Sequence, residues 1–264
     1  MNLELNGRRV LVTGSTAGIG LAAATLFAVE GADVIINGRT AERVTAAVAS
    51  VREAAPAAAC RGVAADLGTD EGCKSLVRDV PEVDILVNNV GIFEPKPFEA
   101  ITDADWFRFF EVNVMSGVRL ARAYLPGMRA RNWGRVVFVS SESAVQIPVE
   151  MIHYGMTKTA QLAIARGLAE ATVGTDVTVN SVLPGPTASE GVSTFVGQMA
   201  KARSVDADTM EREFFATARP SSLLKRFETP EEIAAMIVYV CSARASGTNG
   251  AALRVDGGVI RSMV

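Results

Sequence analysis

Short runs of β-branched residues alternate with longer alanine-rich stretches along this chain of 264 residues. Such alternation is typical of βαβ units and predicts a parallel sheet with helices on both faces. The predicted strands are 9–13, 33–37, 61–65, 84–87, 135–140, 177–182 and 251–255. The predicted helices are about 18–30, 41–54, 70–79, 104–131, 152–173 and 230–243. We therefore expect an α/β fold, in which residues 1–264 form one doubly wound domain around a seven-stranded parallel sheet.

One region interrupts this alternation. After Val182 the chain reads Leu183-Pro184-Gly185-Pro186-Thr187, and residues 186–226 contain no predicted strand. Ligands of open α/β sheets bind outside the carboxyl ends of the strands, so a long excursion at such an end favours a substrate lid. The alternative is a pair of helices that only packs against the sheet.

Composition and charge narrow the classes of function. The net charge of −3 and the pI near 5.4 indicate no basic surface for nucleic acid or an anionic membrane. Cys60, Cys73 and Cys241 are too far apart in sequence to indicate a metal site or a disulfide framework. The N-terminus lacks a signal-peptide pattern, and no apolar run reaches the length of about 18 residues that spans a membrane. We expect a soluble cytoplasmic protein without a metal.

A glycine-rich run links the first predicted strand to the first predicted helix. It reads Thr13-Gly14-Ser15-Thr16-Ala17-Gly18-Ile19-Gly20, with the spacing G-x-x-x-G-x-G. Glycines let the backbone turn tightly and approach a phosphate closely, while a helix N-terminus presents unpaired N–H groups. The run therefore predicts a nucleotide-phosphate site in a Rossmann-type fold.

Tyr154 and Lys158 are four residues apart in a predicted helix, so both side chains lie on one face. A nearby ammonium stabilises a phenolate, and such a pair can exchange a proton with a substrate oxygen. The alternative is an ordinary helix surface, and the other motifs of the chain favour the catalytic interpretation.

Taken in order, the motifs resemble those of the short-chain dehydrogenase/reductase family over nearly the whole chain. Asn88-Asn89-Val90-Gly91 is similar to the family's Asn-Asn-Ala-Gly motif, with Val90 in place of the alanine. Ser141 precedes Tyr154 by thirteen residues, as the family's catalytic serine does, and Tyr154 with Lys158 matches its Tyr-x-x-x-Lys pair.

The resemblance implies both a catalytic set and a cofactor site. The implied catalytic residues are Asn113, Ser141, Tyr154 and Lys158. The implied cofactor-binding residues are Gly14, Ser15, Thr16, Gly18, Ile19, Gly20, Arg39, Asp66, Leu67, Asn89, Val90, Gly91, Tyr154, Lys158, Pro184, Gly185 and Thr187. The implied chemistry is hydride transfer between a nicotinamide and a carbonyl or secondary alcohol.

In this implied mechanism Tyr154 is the general acid in reduction and the base in oxidation. Lys158, together with the oxidised nicotinamide, lowers the pKa of Tyr154 and also binds the nicotinamide ribose. Ser141 hydrogen-bonds the substrate oxygen, and Asn113 holds a water near Lys158.

The end of the second predicted strand favours NADP(H) over NAD(H). In the resembled family an acid there binds the adenosine ribose and repels a 2′-phosphate. Here the chain reads Asn37-Gly38-Arg39-Thr40, and a guanidinium suits a phosphate. Two observations weigh the other way: many NAD-dependent relatives also carry this arginine, and Ala17 stands where NADP-dependent ones often have a second base.

The predicted substrate contacts follow the motifs along the chain. They are Phe93, Glu94, Val145, Ile147, Met151 and Phe195. Most are apolar, which indicates a hydrophobic carbonyl or alcohol. His153 is the only histidine, and on a helix it points about 100° away from Tyr154. We therefore expect His153 to line the pocket or a subunit contact, outside the catalytic face.

Two other functions stay open at this point. One is a catalytically idle regulator that senses a nucleotide; an intact Ser141, Tyr154 and Lys158 argue against it. The other is a 3-oxoacyl-[acyl-carrier-protein] reductase, which predicts a basic patch for an acidic carrier, and Arg219, Lys225 and Arg226 are the candidates. The resemblance also implies a homotetramer or a homodimer.

Overall fold

The computed structural model describes residues 1–189, 192, 197 and 206–263, and in this part of the chain seven parallel strands form one sheet. The strands are β1 (Arg9–Val12), β2 (Asp33–Gly38), β3 (Cys60–Ala64), β4 (Ile85–Asn88), β5 (Gly134–Val139), β6 (Val177–Pro184) and β7 (Ala252–Val255). The helices are α1 (Gly18–Val29), α2 (Ala41–Ala54), α3 (Asp70–Asp79), α4 (Asp103–Phe110), α5 (Ser116–Ala130), α6 (Ile152–Glu170), α7 (Ala207–Thr217) and α8 (Pro230–Val240). None of these described helices is long and apolar enough to cross a bilayer. The predicted fold class is confirmed.

Side chains along β1 alternate between two hydrophobic cores. Val10 and Val12 pack with residues of α1, α2 and α8, whereas Leu11 packs on the opposite face with residues of α3, α5 and α6. Successive side chains of a strand point to opposite faces, and helices cover both faces of this sheet. The run Arg9–Val12 is therefore apolar almost throughout, unlike a strand with one face in water.

The strand order β3-β2-β1-β4-β5-β6-β7 places a switch point between β1 and β4. β1 pairs with β2 on one side and with β4 on the other. The connections that leave the carboxyl ends of these two central strands diverge, which opens a crevice there. Residues 13–20 and 88–91 lie on the two sides of this crevice.

The predicted helix 104–131 is not continuous. It consists of α4, a π-helical turn at Glu111–Met115 and α5. A π turn holds one more residue than an α turn and changes the direction of the side chains within it. Asn113 lies in this turn and is buried, so the extra residue turns a predicted catalytic side chain inward.

The segment 186–226 lies only partly within the described residues. In the described part, α7 buries Met210 and Phe215, and the ring centroids of Phe214, Phe215 and Phe227 are 5.1 Å apart. Phe195, a predicted substrate contact, falls outside the described residues. The lid therefore stays a prediction.

Candidate active site

Ser141, Tyr154 and Lys158 meet beyond the carboxyl end of β5. Ser141 follows that strand by two residues, while Tyr154 and Lys158 lie one turn apart on α6. The Ser141 side chain lies close enough to the phenol of Tyr154 to lower its pKa. Lys158 Nζ donates to the main-chain oxygen of Val139 at 2.9 Å and lies 5.6 Å from the centre of the Tyr154 ring. The helix register thus brings the predicted pair to the serine.

Burial controls the protonation of this cluster. It raises the pKa of Tyr154 well above its ordinary value of 10, and the interaction with the Ser141 side chain only partly opposes this. Burial also lowers the pKa of Lys158 to about 8, with Glu142 opposing. Desolvation of the phenolate outweighs the nearby charges of the protein, and the expectation that Lys158 and the oxidised nicotinamide together lower the Tyr154 pKa stays a prediction. The phenol is protonated at neutral pH.

Asn113 reaches the cluster from the π turn. Its Oδ1 accepts from the main-chain nitrogen of Ile92 at 2.7 Å, and its Nδ2 donates to Thr157 Oγ1 at 3.0 Å. Its main-chain oxygen accepts from Gln161 Nε2 at 2.6 Å, and Gln161 Oε1 accepts from Lys158 Nζ at 3.4 Å. A side-chain amide therefore links Asn113 to Lys158, in a connection for which the resemblance implied a water.

Two residues of this site were missed from the sequence. Gln161 stands three positions after Lys158, on the same helix face, and this spacing was the available signal. Glu142 is buried and accepts a hydrogen bond from Ser141 Oγ at 2.5 Å. Its partner Arg219, whose Nε donates to Glu142 at 2.9 Å, lies 77 positions away, so no local pattern could pair them.

The glycine loop between β1 and α1 is shaped for close approach by a ligand. Gly14 and Gly18 have φ values of +59° and +53°, a region that favours glycine. A Cβ at Gly20 would lie 2.5 Å from both Asn89 Nδ2 and the main-chain oxygen of Gly14, so a side chain has no room there. Helix α1 begins without a side-chain cap at Ala17, which leaves N–H groups of its first turn for an anion. This cradle fits a dinucleotide pyrophosphate.

Two asparagines brace the loop. Asn37 Oδ1 accepts from the Gly14 nitrogen at 3.2 Å, and Asn89 Nδ2 donates to the main-chain oxygens of Thr13 and Gly14 at 3.0 Å. Thr13 Oγ1 accepts from the main-chain nitrogens of Asn89 and Val90 at 2.8 and 3.2 Å. The loop is therefore held from β2 and from β4 at once, which preorganises it.

The end of β2 has little room for an acid. A Cβ at Gly38 would lie 2.4 Å from Thr16 Cγ2, so any side chain requires Thr16 to move. Arg39 follows, exposed, and its guanidinium makes no hydrogen bond or ion pair with another described residue. Position 38 therefore presents no carboxylate, and the Arg39 guanidinium lies exposed beside it.

The remaining predicted cofactor residues lie around the same crevice. Asp66 is exposed after β3, and its Oδ1 accepts from the Gly68 nitrogen at 3.0 Å. Leu67 is 2% exposed and packs in the core, so its side chain faces away from any ligand. Ile19 and Ser15 belong to the loop, where Ser15 Oγ donates to the Val12 oxygen at 2.6 Å.

The turn after β6 lies against the glycine loop. The Gly185 nitrogen donates to Glu228 Oε2 at 3.0 Å, and Thr187 Oγ1 donates to the Gly185 oxygen at 2.9 Å. A Cβ at Gly18 would lie 3.2 Å from Ser189 Cβ, so the chain after Pro184 closes over the loop. The predicted residues Pro184, Gly185 and Thr187 are thus next to the glycine cradle.

The predicted substrate residues that the structure describes lie at or near the surface. Phe93, Val145 and Ile147 are exposed and Met151 is half-buried. Glu94 Oε2 pairs with Arg108 at 2.6 Å on the surface. His153 is fully buried against Phe109, with ring centroids 4.0 Å apart. The structure therefore places His153 away from the catalytic face of α6.

Comparison with known proteins agrees with this geometry. Residues 8–199 match the family model for short chain dehydrogenases. The chain is 49% identical to the oxidoreductase YvaG of Bacillus subtilis (strain 168), covering 100% of both chains. It is 31% identical to the 3-oxoacyl-[acyl-carrier-protein] reductase FabG of Aquifex aeolicus, covering 98% of this chain and 100% of that one. Its structure is similar to that of L-sorbose reductase from Gluconobacter frateurii, solved with NADPH and L-sorbose, with a TM-score of 0.94, 32% identity and 100% coverage of both chains.

Proposed function

We propose that this chain, which belongs to the short-chain dehydrogenase family, is an NADP(H)-dependent oxidoreductase that interconverts a carbonyl compound and a secondary alcohol. One observation carries the proposal. Tyr154, whose phenol interacts with Ser141, stands beside a buried Lys158 at the carboxyl edge of the sheet, which also holds the glycine loop. An acid, a hydroxyl and a cation beside a dinucleotide cradle are the groups that carbonyl reduction needs.

Each group has a distinct part in this proposal. When bound, the cofactor supplies the hydride, and the residues of the cradle and of the turn after β6 hold it. Tyr154 donates its proton to the substrate oxygen, since burial keeps that proton on the phenol at neutral pH. Lys158 stabilises the phenolate left behind, and Ser141 contacts the same substrate oxygen. Asn113, bonded to Thr157 and to Gln161, fixes the position of the helix face that carries Lys158.

The preference for NADP(H) is supported by the end of β2. Gly38 leaves no acid to repel a 2′-phosphate, and Arg39 has no described partner that competes for its guanidinium. The solved L-sorbose reductase contains NADPH. A guanidinium binds a phosphate through charge-assisted hydrogen bonds, so Arg39 is the residue that we assign to this selection.

A carrier-protein reductase is less well supported by the structure. Of the three candidate cations, Arg219 is buried and paired with Glu142 and Glu150. Arg226 pairs with Glu232 at 2.7 Å. Lys225 remains exposed and donates to the main-chain oxygen of Pro220. These described residues do not form the basic patch that an acidic carrier needs, so we favour a small-molecule substrate.

The exposed side chains on α4 bear on the predicted oligomer. Phe107 is 73% exposed and Phe110 is 40% exposed, next to the π turn. Burying large apolar side chains stabilises an interface between subunits. We therefore retain a homotetramer or a homodimer as a proposal, and light scattering of the purified protein tests it.

The test of the function is turnover of the purified protein. NADPH and NADH are supplied separately with a panel of aliphatic, aromatic, sugar, steroid and acyl ketones, and absorbance at 340 nm is followed. We expect oxidation of NADPH with at least one carbonyl and a lower kcat/KM with NADH. Tight NADPH binding without turnover of any ketone or alcohol would favour the nucleotide-sensing regulator.

A further inference from the structure

The hydroxyl of Ser141 is held by a buried carboxylate outside the predicted catalytic set. Ser141 Oγ lies 2.5 Å from Glu142 Oε2 and accepts from the Ser143 nitrogen at 3.1 Å. The same Ser143 nitrogen lies 2.8 Å from Glu142 Oε2. A carboxylate only accepts hydrogen bonds, so Ser141 donates its one proton to Glu142. The Ser141 side chain also interacts with the phenol of Tyr154.

Glu142 is fixed from its other side by Arg219. Glu142 is 4% exposed and Arg219 is 7% exposed, and Arg219 Nε donates to Glu142 Oε1 at 2.9 Å. Arg219 Nη1 also reaches Glu150 at 3.2 Å. An unpaired buried carboxylate is strongly unfavourable, whereas here both oxygens have partners. One guanidinium just beyond α7 therefore anchors the connection between β5 and α6 at two points.

We propose that Glu142, anchored by Arg219, is a positioning residue that fixes the rotamer of Ser141 and thereby the point from which its hydroxyl reaches the substrate oxygen. This inference rests on the proposed function and deepens it. A serine side chain that changes rotamer freely spends little time in the reactive position, and a misplacement of about 1 Å can lower a rate about 100-fold. The carboxylate holds Ser141 Oγ in one position before substrate arrives, and the Ser141 proton then turns from Glu142 to the substrate oxygen.

The charges of Glu142 and Arg219 predict an effect on the pH profile that a merely structural role would not produce. The Glu142 carboxylate raises the pKa of both Tyr154 and Lys158, while Arg219 lowers the pKa of Tyr154. Glu150 is the other carboxylate bound to Arg219, at the rim of the site. Removing the charge of Glu142 therefore lowers the pKa values of Tyr154 and Lys158 and shifts the pH profile of the enzyme to lower pH. Shortening the side chain while keeping its charge does not.

The experiment compares Glu142→Gln, which keeps the shape and removes the charge, with Glu142→Asp, which keeps the charge and shortens the side chain. We expect kcat to fall at least about tenfold in both variants, with the NADPH dissociation constant unchanged within about twofold. The pH profile of kcat/KM shifts to lower pH in Glu142→Gln only. The matched control is Glu170→Gln, which removes an exposed carboxylate paired with Arg166 on α6 and leaves kcat and the profile unchanged.

A second comparison tests whether Glu142 acts through Ser141. In a Ser141→Ala background, Glu142→Gln should cause no further loss of the residual kcat. A further loss as large as in the wild-type background, or a kcat like that of the wild type in both Glu142 variants, overturns the inference. If the wild-type protein reduces no carbonyl with either cofactor, the proposed function fails by itself. Crystal structures then decide, because an unchanged Ser141 rotamer in Glu142→Asp contradicts the positioning role.

Discussion

The ammonium nitrogen of Lys158 lies 5.6 Å from the centre of the Tyr154 ring, so the two side chains interact through space. Lys158 directs its hydrogen bonds to the main-chain oxygen of Val139 and to Gln161. Lys158 is thus held in place as a positive charge near the ring of Tyr154. In the proposed mechanism, a charge at this distance would stabilise the phenolate that forms when Tyr154 gives up its proton.

Tyr154→Phe should lower kcat for ketone reduction by about 10²–10⁴-fold, because that is the usual contribution of a general acid. NADPH binding should change by less than about twofold, since the ring is retained. Stopped-flow turnover and fluorescence titration measure the two effects. Tyr239→Phe is the control, because Tyr239 is an exposed tyrosine of α8. Wild-type turnover in Tyr154→Phe would refute the assignment.

Arg39→Ala should lower kcat/KM for NADPH about 10- to 100-fold and leave that for NADH nearly unchanged. The reason is the loss of charge-assisted hydrogen bonds to the 2′-phosphate, which contribute about 1.5–3 kcal/mol. Steady-state kinetics with both cofactors measure the ratio. Arg129→Ala, an exposed arginine of α5, is the control. Equal losses with both cofactors would contradict the selection by Arg39.

Gly38→Asp should reverse the preference in favour of NADH, because an acid at this position repels a 2′-phosphate and accepts from the ribose hydroxyls. The added Cβ also presses on Thr16, so Gly38→Ala measures the steric effect alone. The ratio of the two kcat/KM values, taken relative to Gly38→Ala, isolates the effect of the charge. A ratio identical in Gly38→Asp and Gly38→Ala would speak against it.

Reduction should slow as the pH rises above about 8. Burial lowers the pKa of Lys158 to about 8, so the ammonium loses its charge in that range, while the phenol of Tyr154 stays protonated. Lys158→Arg should retain part of the activity and move this limb of the kcat/KM profile to higher pH, since arginine keeps its charge. Lys74→Arg on α3 is the exposed control. An unmoved limb in Lys158→Arg would assign it to another group.

Stability should decrease as the pH rises through about 7. Burial raises the pKa of Glu228 to about 7, so between its unfolded value of 4.5 and this value the folded chain holds a proton that the unfolded chain releases. The loss is complete above pH 7 and amounts to at most about 3.5 kcal/mol, at about 1.4 kcal/mol per unit. Urea unfolding at pH 5.5 and pH 8 measures the part of the loss between these two pH values, about 2 kcal/mol. Glu228→Gln should remove this part of the pH dependence, and an unchanged dependence would exclude Glu228 as its source.

Two glycine substitutions should have opposite effects. Gly20→Ala places a Cβ 2.5 Å from Asn89 Nδ2 and the Gly14 oxygen, so it should destabilise the fold by about 1–3 kcal/mol and weaken NADPH binding. Gly167→Ala, on the exposed side of α6 with nothing within 4 Å, should stabilise by about 0.5–1 kcal/mol. Thermal unfolding compares them. Similar melting temperatures for the two variants would show that the loop adapts to a side chain.

Local chemistry explains why much of this molecule could be predicted from the sequence. The strands were predictable because both faces of the sheet are buried, which leaves near-continuous apolar runs such as Val10–Val12. The proximity of Tyr154 and Lys158 follows from the helix period alone. Ser141 and the glycine loop each follow a strand of a parallel sheet, so the sequence also predicts that both lie at the carboxyl edge of that sheet.

Other parts depend on pairings between distant positions. Arg219 was interpreted as a surface cation, whereas burial and the two carboxylates Glu142 and Glu150 make it internal. The amide of Gln161 joins two elements through the main-chain oxygen of Asn113, which lies in the π turn. Neither of these contacts produces a periodic pattern in the sequence, because each forms only after two distant segments have folded.

In the π turn at Glu111–Met115, the number of residues should affect activity more than the identity of most of them. Deleting one residue there would restore a regular α turn, in which the flanking helices keep their orientation but the side chains of the turn itself change direction. That change would separate the Asn113 amide from Ile92 and Thr157, both of which it now contacts. A library of substitutions in this turn should therefore retain far more active variants than a library of single-residue deletions, even where the deletions raise helix propensity.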